Sequence, residues 1–199
     1  SSAALLTMEM ACRHGLIVTL DPGVSISQAA LDEMHALLPV VNILLPNLDE
    51  AQKLTKMTAP EDCAQILLSK GCQAVALKLG RDGCLVGHRE GLRRVPGLAV
   101  EARDSTGAGD GFAAGFIAGR LAGLSLHSAA ILGNALGAMA AAHVGASMEA
   151  MEGRDVLAVL QSYGQQEAHS EHLEALQQAI DLISARFTEQ EEEKKPWWK

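Results

Sequence analysis

Three short apolar runs alternate with helical stretches in the first half of the chain, and this alternation constrains the fold more than any other feature. The runs are LIVTLDP (16–22), VVNILL (40–45) and AVALKL (74–79). Runs this short, with no polar face, are typical of parallel strands that are covered on both sides. Helices are predicted before and between them, over residues 3–13, 28–38, 49–54 and 60–70.

The pattern changes after the third run. Arg81-Asp82-Gly83 separates that run from CLVGHRE (84–90), and an Asp-Gly pair at such a place favours a β-hairpin. After a turn at Gly91, residues 92–100 read as one more strand. The sequence therefore predicts an α/β fold in which antiparallel strands extend a mostly parallel sheet.

Residues 108–144 consist almost entirely of Ala, Gly, Leu, Ile and Met, which predicts two closely packed helices. The break falls at Gly123-Leu124-Ser125, where Ser125 suits the N-cap of the second helix. A further amphipathic helix is predicted over 153–163. Aromatic residues are only 3% of the chain, so its core is aliphatic, as in helices packed on a sheet.

Composition excludes several classes of function. The net charge of −8 argues against nonspecific binding to nucleic acid or to anionic membranes. The sequence has no long apolar segment that predicts a membrane span, and its start does not read as a signal peptide. The four cysteines form no C-x-x-C pair, which favours reduced thiols and a cytoplasmic location. The scattered histidines do not predict a metal site.

The last segment, residues 165–199, differs from the rest because a narrow apolar stripe crosses a polar helix. The stripe consists of Leu173, Leu176, Ile180, Ile183 and Phe187. Two interpretations are open: a terminal helix that packs back on its own domain, or a helix that mediates dimerisation. The final EEEKKPWWK reads as a solvated end.

The chemistry of the chain is concentrated in DSTGAGDG (104–111), which runs directly into a predicted helix. Glycines and a helix N-terminus let backbone N–H groups converge on an anion. An acid at Asp110 would repel a resting phosphate, but it could accept the proton of a hydroxyl that attacks a phosphoryl group. The alternative is a glycine turn with an acid that stabilises the helix N-terminus.

The string DSTGAGDGFAAGFI resembles the C-terminal signature of the ribokinase/PfkB family of carbohydrate kinases. Asn47-Leu48-Asp49-Glu50 follows the second strand, as the Asn-x-x-Glu motif of that family does. Residues 78–83 resemble its strand–Gly–turn–Gly element beside ATP, and Asn134-Ala135 and Gly145-Ala146 also resemble family positions. The resemblance covers residues 1–163.

The resemblance implies a fold and an activity. The fold is a three-layer ribokinase-like sandwich with helices on both faces of a mostly parallel sheet and an antiparallel edge. Residues 1–163 would form the nucleotide-binding and catalytic part, and residues 164–199 a helical, charged tail. The activity is ATP-dependent transfer of a phosphoryl group to a hydroxyl of a sugar or sugar-like substrate.

The resemblance also implies catalytic roles. Asp110 would be the catalytic base, and Gly107, Ala108 and Gly109 would form the anion hole for the transferred phosphoryl group. Glu50, together with Asn47, would organise Mg²⁺ and its water around the ATP phosphates, since Mg²⁺ favours partial, water-mediated binding by carboxylates.

Further nucleotide-binding roles are implied at four positions. Lys78 would reach phosphate, although a lysine at a strand end is often only solvated. Gly80 and Gly83 would let the nucleotide approach closely, with a plain hairpin as the alternative. Asn134 would border the adenine pocket, or else serve in helix packing.

Two more sites of the family have counterparts here. Asp104 and Thr106, with carbonyl groups near Gly145, resemble the monovalent-cation site of potassium-activated members. Asp21-Pro22 ends the first strand as an Asp-Pro pair does in several sugar kinases, but Gly23 stands where Asn is frequent.

Family members begin with a Gly-Gly signature, further strands and a small β lid, and no counterpart of these precedes Ser1. We therefore expect the N-terminal part and the lid to be absent from this chain. The partners expected are ATP and a small sugar-like molecule, together with a missing N-terminal half or a second copy of the chain. The alternative function is a catalytically silent nucleotide-binding or assembly module derived from such a kinase.

Overall fold

A computed structural model describes residues 3–23, 27–101, 103–142, 152–165 and 171–193. The chain divides into two compact units, Ser1–Arg94 and Val95–Lys199. The first unit holds nearly all of the β-sheet, and the described part of the second contains four helices. No helix in the described ranges is long and apolar enough to cross a membrane.

The first unit is built on a five-stranded sheet whose order follows the sequence, β1-β2-β3-β4-β5. Strands β1–β3 pair in parallel, and β4 runs antiparallel to β3, which confirms the predicted α/β class with an antiparallel edge. The strands are β1 (Thr19–Leu20), β2 (Ile43–Leu44), β3 (Ala74–Lys78), β4 (Cys84–His88) and β5 (Gly91–Val95). The helices are α1 (Ala3–Arg13), α2 (Gln28–Leu37), α3 (Leu48–Thr55) and α4 (Pro60–Ser69).

Local signals place the helices of this unit where the sequence predicts them. The Ser27 hydroxyl accepts from the Ala30 N–H at the start of α2, and Pro60 occupies the first turn of α4, where its missing N–H costs nothing. The α-helical part of α2 ends at Leu37, just before the tighter turn that contains Pro39. These starts and stops confirm the predicted helices to within one or two residues.

The first strand is shorter than its apolar run predicts. Leu16 and Ile17 are each 61% exposed, so the expectation that the whole run is buried on both faces is wrong there. The Val18 N–H donates to the Asn42 side chain at 2.7 Å, which pins the chain before the ladder begins. The buried aliphatic residues inside the unit belong mainly to α3, α4 and β3, including Leu54, Leu67 and Val75.

The predicted hairpin joins β3 to β4. Lys78 pairs with Cys84, and Gly80–Asp82 form a tight turn between the strands. The next turn falls at residues 89–90, so Gly91 begins β5 instead of forming the turn. Strand β5 ends at Val95 and not at residue 100, because Pro96 has no N–H with which to continue a ladder.

The second unit is helical, with α5 (Ala108–Leu121), α6 (Leu126–Ala142), α7 (Gly153–Gly164) and α8 (Leu173–Glu193). The Ser128 N–H donates to the Ser125 hydroxyl at 3.0 Å, which confirms Ser125 as a cap. Helices α5 and α6 pack so closely that a Cβ at Gly115 would lie 2.7 Å from the Leu132 carbonyl oxygen. Glycine is therefore required at this point of the helix interface.

Helix α8 packs against α6 and α7 of the same unit, which confirms the first of the two interpretations of the tail. The face it buries differs from the predicted stripe, however. Leu176 is 5% exposed, but Leu173 is 50% exposed, so the prediction that Leu173 belongs to the packed stripe is wrong. Small residues, Ala175 and Ala179, complete the buried face instead. The side chain of Phe187 lies outside the described residues.

Candidate active site

The carboxyl ends of the three parallel strands bring together the predicted site residues of the first unit. Asp21 follows β1, Asn47 follows β2, and Lys78 is the last residue of β3. The Lys78 N–H donates to the Pro46 carbonyl, and Asn47 and Lys78 form an isolated parallel bridge. In open α/β sheets this edge is where ligands bind.

Asn47 and Glu50 form a reciprocal capping box at the start of α3. The Asn47 side chain accepts from the Glu50 N–H at 2.9 Å, and the Glu50 carboxylate accepts from the Asn47 N–H at 2.8 Å. The motif thus has a structural role of its own, since it satisfies two N–H groups that the first helical turn leaves without partners. A metal-organising role for the pair would be added to this one.

Glu50 is only 2% exposed. Its burial raises the pKa of the carboxyl group, and the Asn47 N–H acts in the opposite direction. The negative charge of Asp21 raises this pKa further, whereas the positive charge of Lys78 lowers it. A bound cation would oppose the effect of burial, so the oxygen donors of Glu50 and Asn47 fit a hard ion such as Mg²⁺.

The Lys78 ammonium forms an ion pair with the Asp21 carboxylate, with 2.5 Å between Nζ and Oδ2. In the sheet order β2 lies between β1 and β3, so the pair reaches across the end of β2. The sequence alone did not reveal this pairing. The available signal was the match of two opposite charges, Asp21 after the first apolar run and Lys78 at the end of the third.

Gly80 and Gly83 both have positive φ, of 62° and 87°, in the turn after β3. The Gly83 N–H donates to the Gly80 carbonyl, and the Leu79 N–H donates to the Gly83 carbonyl. The turn itself therefore calls for glycine at both positions. The absence of side chains there also leaves room for a ligand.

The glycine-rich loop of the second unit enters α5 through Gly107, whose φ is 81°. Before it, the Asp104 carboxylate accepts from the Thr106 N–H at 2.9 Å and closes a small turn. The Ala108 N–H donates to the Ser105 carbonyl, so this member of the predicted anion hole already has an acceptor. The N–H groups of Gly109 and Asp110 follow in the first helical turn, which leaves such groups for a ligand.

Asp110 lies in the first turn of α5 and is exposed. Asp155 occupies the corresponding place in α7, where its carboxylate accepts from the Glu152 N–H at 2.9 Å and caps the helix. Among the described residues, none donates a hydrogen bond to the Asp110 side chain. Of the two helix-start acids, only Asp155 is therefore engaged in capping within the described chain.

Asn134 is 7% exposed, and its side-chain amide is hydrogen-bonded to backbone carbonyl groups. It donates to the Val95 carbonyl at 3.3 Å and to the Pro96 carbonyl at 2.9 Å. The Tyr163 hydroxyl donates to the same Pro96 carbonyl at 3.1 Å. The sequence alone did not identify Tyr163. The packing alternative for Asn134 thus has direct contacts in its favour.

Within the described ranges, no group of three or more His, Cys, Asp or Glu side chains is placed to hold a metal ion. His127 and His172 hydrogen-bond each other over 2.7 Å and join α6 to the segment before α8. All four cysteines lie in the described ranges, and none forms a disulfide. Gly145, Ala146 and His169 lie outside those ranges.

The family model for pfkB family carbohydrate kinases matches residues 1–152. The chain belongs to this family. A 2-dehydro-3-deoxygluconokinase of Bacillus subtilis is 38% identical over 133 residues, which cover 63% of this chain and 40% of the relative. A ribokinase of Haemophilus influenzae is 31% identical over 150 residues, which cover 73% and 47%.

Solved structures confirm the ribokinase-like fold of this PfkB chain. An Escherichia coli structure in complex with ATP and Mg²⁺ matches it with a TM-score of 0.73 and 26% identity, over 80% of this chain and 53% of the other. The chain therefore spans about half the length of the PfkB proteins that it matches.

Proposed function

We propose that the chain carries the nucleotide-binding and catalytic machinery of an ATP-dependent kinase that phosphorylates a hydroxyl of a sugar or sugar-like substrate. The observation that carries this proposal is Asp110, which is exposed in the first turn of α5, three residues after the left-handed Gly107, and caps no helix within the described residues. Family membership supports it, since the relatives include a ribokinase and a 2-dehydro-3-deoxygluconokinase.

In this proposal Asp110 acts as a general base. It accepts the proton of the acceptor hydroxyl while that oxygen bonds to the γ-phosphorus and the bond from phosphorus to the leaving ADP oxygen breaks. Backbone N–H groups of Gly107–Gly109 and Asp110 stabilise the charge on the phosphoryl oxygens. The Ala108 N–H contributes if it exchanges its Ser105 acceptor for the phosphoryl group.

The remaining nucleotide contacts belong to the first unit. Lys78 provides a positive charge for the phosphates, and Gly80 and Gly83 provide a surface without side chains. Glu50 and Asn47 would hold Mg²⁺ through water, and the ion would neutralise phosphate charge. An Escherichia coli structural relative is in complex with ATP and Mg²⁺, which supports this pair of ligands.

Two further parts of the proposal concern an ion and the organisation of the chain. Asp104 and Thr106 form a turn whose carboxylate would contribute to a monovalent-cation site, with K⁺ as the ion. Residues 1–163 would be the nucleotide-binding and catalytic part, 164–199 a helical tail, and the setting cytoplasmic.

The test is phosphoryl transfer from ATP to a panel of sugars and polyols, with Asp110→Asn beside the wild type. We expect loss of turnover by about 10²- to 10⁴-fold, the usual contribution of a general base. Asp155→Asn is the matched control, because it removes the same charge from the first turn of another helix. Turnover that survives in Asp110→Asn would rule out the catalytic assignment.

The second candidate function is a silent nucleotide-binding or assembly module. It is favoured by one observation, namely that the Ala108 N–H, a member of the predicted anion hole, already donates to the Ser105 carbonyl. ATP binding measured by calorimetry, without transfer to any acceptor in the panel, would support this candidate. Transfer that depends on Asp110 would exclude it.

A further inference from the structure

Lys78 has a single acidic partner for its ammonium group within the described residues, Asp21. Its backbone is fixed at the end of β3, where its N–H donates to the Pro46 carbonyl at 2.8 Å. The side chain is 12% exposed, so most of its surface is removed from water. A charge in this setting needs a partner, because burial penalises an unpaired ammonium.

Asp21 is the more hydrated member of the pair, with 32% of its side chain exposed. It lies beyond the end of β1, between Leu20 and Pro22, and is not part of the ladder. If it lost Lys78, water could solvate its carboxylate at low cost. The two partners are therefore unequal: Asp21 can be left alone, whereas Lys78 needs a replacement anion.

The third charge in this cluster is Glu50, whose carboxylate already accepts from the Asn47 N–H. Asp21 and Lys78 both act electrostatically on Glu50, with opposite signs. With all three groups charged, the cluster carries a net charge of −1. A phosphate that arrived at Lys78 would meet repulsion from Asp21 as well as attraction from the lysine.

We propose that Asp21 is the counter-ion that holds Lys78 in place before nucleotide binds, and that a polyphosphate takes its place on the Lys78 ammonium. This inference rests on the proposed function, since it needs a phosphate to come to this edge of the sheet. Asp21 then sets nucleotide affinity without contacting the nucleotide, and it keeps the lysine ordered in the empty protein.

The experiment measures binding of ATP and of inorganic tripolyphosphate to the full chain by calorimetry. Asp21→Asn leaves Lys78 without a competing carboxylate, and we expect both ligands to bind about two- to fivefold more tightly, the range set by losing one partly exposed ion pair. Lys78→Met should weaken binding by at least about tenfold. The double variant should gain much less affinity over Lys78→Met than Asp21→Asn gains over the wild type, because Asp21 acts mainly by competing for the lysine.

Asp62→Asn serves as the control. It removes an exposed acid from the first turn of α4 and should leave affinity unchanged, which excludes a general effect of net charge. Unchanged or weaker binding of tripolyphosphate by Asp21→Asn would overturn the proposal for Asp21 while the proposed function stands. A wild-type chain that binds no ATP would instead refute the proposed function, and this inference with it.

Discussion

The side-chain amide of Asn134 donates a hydrogen bond to the Pro96 carbonyl oxygen over 2.9 Å. Tyr163 donates to the same oxygen, so α6 and α7 both hold the backbone where β5 ends. At the far end of the following loop, the Arg103 and Asp104 N–H groups donate to the Ala141 carbonyl of α6. Helix α6 thus fixes both ends of the segment that leads into the glycine-rich loop.

We predict that Asn134→Ala lowers the free energy of unfolding by about 1–3 kcal/mol, because it removes the side-chain donor of the buried Val95 carbonyl and one of the two donors to the Pro96 carbonyl. Tyr163→Phe keeps the ring and should cost about 0.5–1.5 kcal/mol. Urea denaturation measures both, and the double variant should cost more than the sum, because the Pro96 carbonyl keeps one side-chain donor in each single variant and has neither in the double variant.

Gln161→Ala, at an exposed position of α7, is the control for this set and should change stability by less than about 0.5 kcal/mol. An Asn134→Ala variant with wild-type stability but altered discrimination between ATP and GTP would contradict this structural role of Asn134. It would favour the adenine-pocket role that the family resemblance implies.

The tail helix provides a second prediction, since two leucines three residues apart have different environments. Leu176 is 5% exposed and Leu173 is 50% exposed. Leu176→Ala should therefore lower the free energy of unfolding by about 2–5 kcal/mol, as deletion of a buried leucine does. Leu173→Ala should cost less than about 1 kcal/mol. Equal losses in urea denaturation would mean that α8 packs by the predicted stripe after all.

Local chemistry explains which parts of the fold could be predicted from sequence. Ser27, Pro60 and Ser125 mark helix starts through contacts within a few residues, so these boundaries were correct. The predicted stripe of α8 is wrong at Leu173 because the pattern takes only large apolar residues into account, whereas the small residues Ala175 and Ala179 pack in the buried face.

The candidate site was predictable only as separate motifs. The Asn47–Glu50 box spans three residues and can be read directly from the sequence. Asp21 and Lys78 are 57 positions apart, and they meet only because the parallel strands bring their carboxyl ends to one edge. Asn134 and Pro96 are likewise 38 positions apart. No local pattern encodes such pairs, so their partners became evident only in the fold.

Cysteine reactivity provides the third prediction. Burial raises the pKa of the Cys72 thiol to about 11, whereas Cys12 is exposed on α1. At about pH 8.5 we expect iodoacetamide to label Cys12 readily and Cys72 hardly at all in the folded chain, because the thiolate is the reactive form. Peptide mass spectrometry after a timed quench measures the difference, and labelling in urea is the control in which both cysteines react.

The same raised pKa has a consequence for stability. The folded state holds the Cys72 proton more tightly than the unfolded state does. The stability that the protonated Cys72 thiol contributes is therefore complete below the ordinary thiol pKa and is lost as the pH rises through about 11. Cys72→Ala should therefore lessen the fall in stability between about pH 9 and 11. Rapid labelling of Cys72 at pH 8.5, with the fold intact, would show that its thiol is not shielded.

The close approach of α5 to α6 yields the last prediction, because it fixes the helix that carries Asp110. A Cβ at position 115 would lie 2.7 Å from the Leu132 carbonyl oxygen, a contact that real Cβ atoms do not make. Gly115→Val should therefore lower the free energy of unfolding by about 1–3 kcal/mol or more. Ala114→Val, at an exposed position of the same helix, should cost only its lower helix propensity, about 0.7 kcal/mol or less. Urea denaturation of both variants measures the difference, and equal losses would show that α5 and α6 can separate without penalty at Gly115.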